Sequence, residues 1–184
     1  MKIMIASDLH GSFYYGQKLF DRFEEEKAEE LILLGDLLYH GARNALPQEY
    51  STIDLTKLLN RYKDRILAVR GNCDAEIDQT VLKFPIMSDY LVTWIDGRKW
   101  FLTHGHIYNE HVMLPHDPGD VLLHGHTHVK VLEKTGDFYF VNPGSVSIPK
   151  DGPVHSYAVY EDGTFYLKNV ENGEVLGKME LSQS

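Results

Sequence analysis

Residues 3–11 read IMIASDLHG: four apolar residues, a serine, then Asp8 and His10 around Leu9, closed by Gly11. A short apolar run of this kind reads as a buried strand, and the polar residues begin where it stops. The same grammar returns four times. LILLGD (31–36) ends on Gly35-Asp36, and ILAVRGNCD (66–74) ends on Arg70-Gly71-Asn72-Cys73-Asp74. WFLTHGH (100–106) ends on His104-Gly105-His106, and VLLHGHTH (121–128) ends on His124 through His128. In an open α/β sheet the carboxyl ends of the strands share one edge, and ligands collect in the crevice there. Five segments can therefore deliver side chains to one point, with glycines permitting tight turns and close approach.

Working outward, residues 12–27 predict an amphipathic helix with Tyr15, Leu19 and Phe23 at four-residue steps. Residues 41–48 read as a loop. Leu55, Leu58, Leu59 and Tyr62 then form the stripe of a second helix. With strands at 3–6, 31–34 and 66–69, the order is β-α-β-α-β, which implies parallel strands with right-handed crossovers. The second half is richer in strands. Asp96-Gly97, Gly136, Asp162-Gly163 and Asn172-Gly173 are expected hairpin turns. The expected fold is α/β: two mixed β-sheets packed as a sandwich and flanked by helices.

A chain of 184 residues with 43% hydrophobic and 24% charged residues suits one domain spanning residues 1–184. The net charge of -9 argues against a grip on long nucleic acid, which calls for a basic face, though not against a nucleotide. A single cysteine excludes an intrachain disulfide framework. The amino-terminal stretch turns polar too soon for a signal peptide, and no apolar run approaches the ~20 residues that span a bilayer. A cytoplasmic protein without a membrane partner is expected. Ten histidines are the first hint of metal chemistry.

Taken singly, the motifs carry ordinary alternatives. Asp-x-His reads as a turn or helix cap, Gly35-Asp36 and Asn72 as turn chemistry, and His104 as a core histidine. His126-Thr127-His128 is stronger, because paired histidines after a glycine suit a metal. Independent turns have no reason to place all five sets at strand ends, so together they favour a metal site.

In order, Asp-x-His, Gly-Asp, Gly-Asn-x-Asp, His and Gly-His-x-His resemble the pattern of the calcineurin-like metallophosphoesterase superfamily. The resemblance spans residues 8–128. Gly71-Asn72-Cys73-Asp74, Asn142-Pro143-Gly144-Ser145 and the loop Arg43-Asn44-Ala45-Leu46-Pro47 are most similar to its bacterial YfcE phosphodiesterase group. The resemblance implies two divalent metals. Asp8, His10, Asp36 and His128 would hold one, and Asp36, Asn72, His104 and His126 the other, with Asp36 bridging. Mixed oxygen and nitrogen donors suit Mn²⁺, Fe or Zn²⁺ over Ca²⁺, and the resemblance points to Mn²⁺.

The implied activity is a metal-dependent phosphodiesterase, with attack of a metal-activated hydroxide on a small phosphate ester or nucleotide. Asp36, Asn72, Cys73 and Asp74 are the candidate catalytic residues. Arg43 and Asn44 are candidate substrate donors, since a guanidinium grips phosphate bidentately; a solvated loop charge is the alternative for Arg43. Asp74 and His106 either orient a neighbouring group or only shape their turns. Cys73 stands where the superfamily carries a histidine that aids the leaving group. A thiol is the weaker donor, so Cys73 is read either as a catalytic participant or as a small space-filling residue. Two other functions stay open: a phosphomonoesterase, and a metal-binding interaction scaffold like the retromer subunit of vacuolar sorting, which has a similar fold. The resemblance also admits a small homo-oligomer.

Overall fold

The computed structural model describes residues 1–182. In chain order its first half runs β1 (Ile3–Ala6), α1 (Phe13–Glu26), β2 (Glu30–Leu33), α2 (Thr52–Arg61), β3 (Ile66–Ala68) and α3 (Glu76–Val81). Strands follow: β4 (Tyr90–Ile95), β5 (Arg98–Thr103), β6 (Val121–Leu123), β7 (Lys130–Thr135) and β8 (Phe138–Pro143). The chain closes with β9 (Ser156–Glu161), β10 (Thr164–Asn169) and β11 (Val175–Glu180). The six-stranded sheet has the order β11-β10-β9-β1-β2-β3, and the five-stranded sheet β4-β5-β6-β8-β7. Both are mixed: β1, β2 and β3 are parallel while β9 runs antiparallel to β1, and β5, β6 and β8 are parallel while β4 and β7 are not.

Strand alternation sorts the apolar residues into layers. Ile3 and Ile5 of β1 face the core between the sheets, with Trp100, Leu102, Val121 and Leu123 from the opposing sheet. Met4 and Ala6 point the other way, into a core with Leu19 and Phe23 of α1 and Leu55 and Leu59 of α2. Burying each large side chain of this kind contributes about 1.5–3 kcal/mol. The first helix starts on Ser12, whose hydroxyl accepts the Tyr15 N–H at 3.3 Å, and stops at Lys27 in the left-handed conformation. Asp96-Gly97 and Asp162-Gly163 both take positive φ at the two turn residues, the backbone that two-residue hairpins need.

The strands, both long helices and all four turns fall where the sequence placed them. Two features differ in detail. The helices α1 and α2 cover the six-stranded sheet, whereas the outer face of the five-stranded sheet is closed by loop residues Met113 and Leu114 over Phe101, Leu122, Phe138 and Phe140. The six-residue α3 was not predicted, because it is too short to show a period and buries none of its side chains.

Candidate metal centre

The five polar segments meet at one place, but they come from two sheets. Asp8 and His10 follow β1, Asp36 follows β2 and Asn72 follows β3, all in the six-stranded sheet. His104 follows β5, and His126 and His128 follow β6, in the five-stranded sheet. Face-to-face packing brings the two sets together. Five of these residues have left-handed backbones: Asp8 (φ 59°), His10 (47°), Asp36 (55°), His126 (65°) and His128 (60°). Non-glycine residues rarely adopt this region, which costs about 1–3 kcal/mol each, and such strain gathers at functional sites.

Ligand atoms of Asp8, His10 and His128, and of Asp8, Asp36 and His104, lie within 4.8 Å of one another, with Asn72 and His126 beside them. Asp8 Oδ1 lies 3.5 Å from His10 Nε2 and 3.2 Å from His128 Nε2. Asp36 Oδ2 lies 3.7 Å from His10 Nε2 and 3.4 Å from His104 Nε2, so it stands between two histidines. Asn72 Oδ1 is 3.1 Å from His104 Nε2. The His126 ring centroid is 5.0 Å from that of His104, and its backbone N–H donates to Asp8 Oδ2 at 3.1 Å. His106 lies beside this pair, its ring 5.3 Å from His104.

The donor set suits divalent cations. His10, His104 and His128 each donate Nδ1–H to a backbone carbonyl: Tyr39 at 2.8 Å, Leu34 at 2.7 Å and Ile148 at 2.5 Å. A carbonyl can only accept, so the tautomer is fixed and the Nε2 atoms are turned inward, as metal-ligating histidines require. His10 Nε2 and His128 Nε2 face one another at 3.2 Å, and Asp8 Oδ1 beside them is buried without a hydrogen-bond partner. Two lone pairs and a carboxylate oxygen at that spacing call for a positive charge among them.

The electrostatics agree. Burial pushes the Asp8 carboxyl up, but His10 and His128 outweigh it and hold it well below the usual carboxylate range. Asp36 is likewise lowered, with burial opposed by His104. Burial alone would lower His104, yet Asp36 and Asp8 raise it to about 9. Two buried carboxylates thus place negative charge at the centre of the histidines, which favours a cation there.

A surrounding layer holds these groups. The Asp74 carboxylate accepts three backbone N–H bonds, from Asp36 (2.9 Å), Leu37 (2.8 Å) and Gly71 (2.7 Å), and so ties the loop after β2 to the loop after β3. Both its oxygens are occupied by backbone N–H groups. Ser145 and Ser147 both donate their hydroxyls to the Asp8 carbonyl, at 2.8 and 2.9 Å, and Asn142 donates to Gly125 O at 2.8 Å and Thr127 Oγ1 at 3.0 Å. Asp74→Asn turns an acceptor into a donor facing N–H groups. It is expected to cost about 1–3 kcal/mol in denaturant unfolding and to weaken metal retention about 10–100-fold. An unchanged unfolding midpoint and metal content would return Asp74 to a simple turn role.

Above these groups opens a cleft of about 860 Å³ whose walls include His10, Asp36, Asn72, Cys73, Asp74, His126 and His128. Arg43 and Asn44 line it too, but Asn44 Nδ2 already donates to His40 O at 2.8 Å and thereby braces its own loop. The Cys73 thiol lies 3.3 Å from Asn72 Nδ2, and burial, reinforced by Asp36, pushes it up to about 12, so it stays protonated. Tyr39, Thr127 and Lys150 also line the cleft and were not singled out from the sequence. Thr127 was legible as the residue between two ligand-type histidines; Tyr39 and Lys150 carry no local signal.

Residues 1–163 match the calcineurin-like phosphoesterase superfamily domain. The chain belongs to this superfamily. Phosphodiesterase YfcE of Escherichia coli strain K12 is 37% identical over 182 residues, 99% of either chain. A solved structure of the E. coli YfcE phosphoesterase aligns with a TM-score of 0.97 over 99% of this chain and all of that one. Phosphodiesterase MJ0936 of Methanocaldococcus jannaschii is 29% identical over 151 residues, 78% of this chain and 83% of that protein. Zinc-bound Vps29 of Entamoeba histolytica, at 22% identity and a TM-score of 0.65 over 99% of this chain and all of that one, shares the fold. The two mixed sheets are the metallophosphoesterase fold, and the histidines and carboxylates at their junction form a metal-binding cluster.

Proposed function

We propose that this superfamily member is a phosphodiesterase acting on small phosphate esters or nucleotides, with two divalent ions. Asp8, His10, Asp36 and His128 would hold one ion, and Asp36, Asn72, His104 and His126 the other. The observation that carries the reading is the convergence of three histidine Nε2 atoms and two carboxylates, of which His10, His128 and Asp36 line an open cleft and Asp8 and His104 are fully buried. The relatives' names, phosphodiesterase in both bacteria and archaea, support the substrate class. Mixed nitrogen and oxygen donors suit Mn²⁺, Zn²⁺ or Fe, and Mn²⁺ is preferred on the family resemblance. The reading takes residues 1–184 as one domain working in the cytoplasm, with a small homo-oligomer admitted; no helix among the described residues is long and apolar enough to cross a membrane.

Bound at this site, divalent ions supply Lewis-acid stabilisation of phosphoryl charge and acidify water for in-line attack. The chain's own residues do the rest. Asp36 bridges the two ligand groups and offsets charge between them. Arg43 at the rim grips the phosphoryl oxygens. The Cys73 thiol offers no imidazole to protonate a departing alkoxide, so leaving groups must depart largely unaided.

The test is turnover of a panel of diesters and monoesters by metal-stripped protein before and after reconstitution with Mn²⁺, Zn²⁺, Mg²⁺ or Fe. Activity restored by metal, diesters ahead of monoesters and aryl diesters far ahead of alkyl diesters are expected. Monoesters turned over faster would favour a phosphomonoesterase, and a metal-replete protein inert to every ester would favour a scaffold. Arg43→Ala should lower kcat/KM about 10–100-fold, a lost charged hydrogen bond of roughly 1.5–3 kcal/mol, with metal content unchanged. Equal kinetics across the panel would leave Arg43 a solvated loop charge.

A further inference from the structure

The cleft holds two cations, on different loops. Arg43 belongs to the loop after β2, which rests on the metal centre: Tyr39 O accepts from His10, and Gly41 packs near the Cys73 thiol. Lys150 belongs to the segment after β8, at the other histidine. Its backbone N–H donates to His128 O at 3.2 Å, and Ile148 O accepts from His128 Nδ1. Ser145 Oγ accepts from Ser147 N and Ile148 N and fastens the same segment. The root of the Lys150 side chain is therefore fixed beside a candidate ligand rather than carried on a free loop.

Many cations of this acidic chain lean on acids, and others, such as Arg65 and Arg98, are taken up by backbone carbonyls. Lys99 reaches Asp117 and Asp120, and Arg70 reaches Asp89. Even Asp151, the neighbour of Lys150, is taken by Lys130 at 2.6 Å. Among the described residues neither Arg43 nor Lys150 makes an ion pair, although the chain carries 27 acidic residues. The carboxylates that share this cleft, Asp36 and Asp74, are engaged by backbone N–H groups, which leaves both cations free to meet anions. One such cation matches the single negative charge of a phosphodiester. The second, anchored at His128, has no counter-charge in that substrate.

We propose that the physiological substrate is a phosphodiester carrying a further anionic group, a carboxylate or a second phosphate on one of its esterified alcohols, and that Lys150 binds that group. The cleft, at about 860 Å³, has room for a ligand of nucleotide size. This inference rests on the phosphodiesterase reading and specifies its substrate class. Lys150 acts in selection: it favours the charged ester over its neutral counterpart without touching the reacting atoms.

The experiment compares two esters with one leaving group that differ by a terminal methyl against a carboxylate, 4-nitrophenyl butyl phosphate and 4-nitrophenyl 3-carboxypropyl phosphate. The metal-reconstituted protein should favour the carboxylate ester in kcat/KM by about 5-fold, the upper range of an exposed ion pair. The preference should shrink as ionic strength rises. Lys150→Met should bring the ratio near one, and Lys150→Arg should keep it. In parallel, calorimetry measures butylphosphonate and 3-carboxypropylphosphonate binding to the same proteins, with the same ratio expected. A ratio near one in the native protein, or a ratio that Lys150→Met leaves intact, would overturn the proposal. If neither ester is hydrolysed, the phosphodiesterase reading falls, and the phosphonate ratio still decides the role of Lys150.

Discussion

Asp36→Asn is expected to abolish most phosphoesterase activity, by more than about 100-fold, the upper range seen when residues that merely support a metal ligand are removed. Asp36 is the group that serves both halves of the centre, with Oδ2 lying 3.7 Å from His10 Nε2 and 3.4 Å from His104 Nε2. Its other oxygen accepts the Cys73 backbone N–H at 2.8 Å and thereby holds the Asn72 loop. The amide keeps the shape but removes the negative charge that screens one cation from another. Metal analysis should show both positions weakened, with the circular dichroism spectrum preserved. Two tightly held metals and near-normal turnover in Asp36→Asn would rule out the bridge.

Gly71→Ala should be nearly as damaging, although glycine contributes no chemistry. A Cβ at Gly71 would overlap Asp36 Oδ1 and the Asp36 backbone nitrogen, and would stand 2.8 Å from its Cγ. Neither obstacle is the free end of a flexible chain. Asp36 is 2% exposed, and its N–H is bonded to Asp74. The expected result is a 10–100-fold loss of metal affinity, with destabilisation of about 1–3 kcal/mol from overpacking. Gly177→Ala is the control, because a Cβ there meets only Leu132 at an ordinary 3.7 Å. Native metal affinity in Gly71→Ala would show that the loops after β2 and β3 can part without harm to the site.

The ligand residues were readable from the chain because they break a strong pattern. An apolar run such as Ile3–Ala6 must stop before Asp8 can appear, and that stop recurs at Asp36, Asn72, His104 and His126. Layering was readable for the same reason, since Ile3 and Ile5 alternate with Met4 and Ala6. Asp74 was ambiguous, because its role lies in three backbone N–H groups, two of them more than 35 residues away, and backbone donors leave no mark in a sequence. Lys150 was invisible, since an exposed lysine after a proline looks like any other until its segment is seen pinned to His128.

By itself the sequence determined the strands, the two long helices, the turns and the chemical types of the candidate ligands, because periodicity, capping and turn residues act over a few positions. The meeting of the site was decided only in the tertiary structure. Three ligand loops belong to one sheet and two to the other, so the centre exists only once Ile5, Trp100 and their neighbours have packed the sheets face to face. Left-handed backbone at Asp8, His10, Asp36, His126 and His128 is also a tertiary outcome. Local preference disfavours it, and bonds from distant residues, such as the Ser145 and Ser147 hydroxyls on Asp8 O, hold it in place.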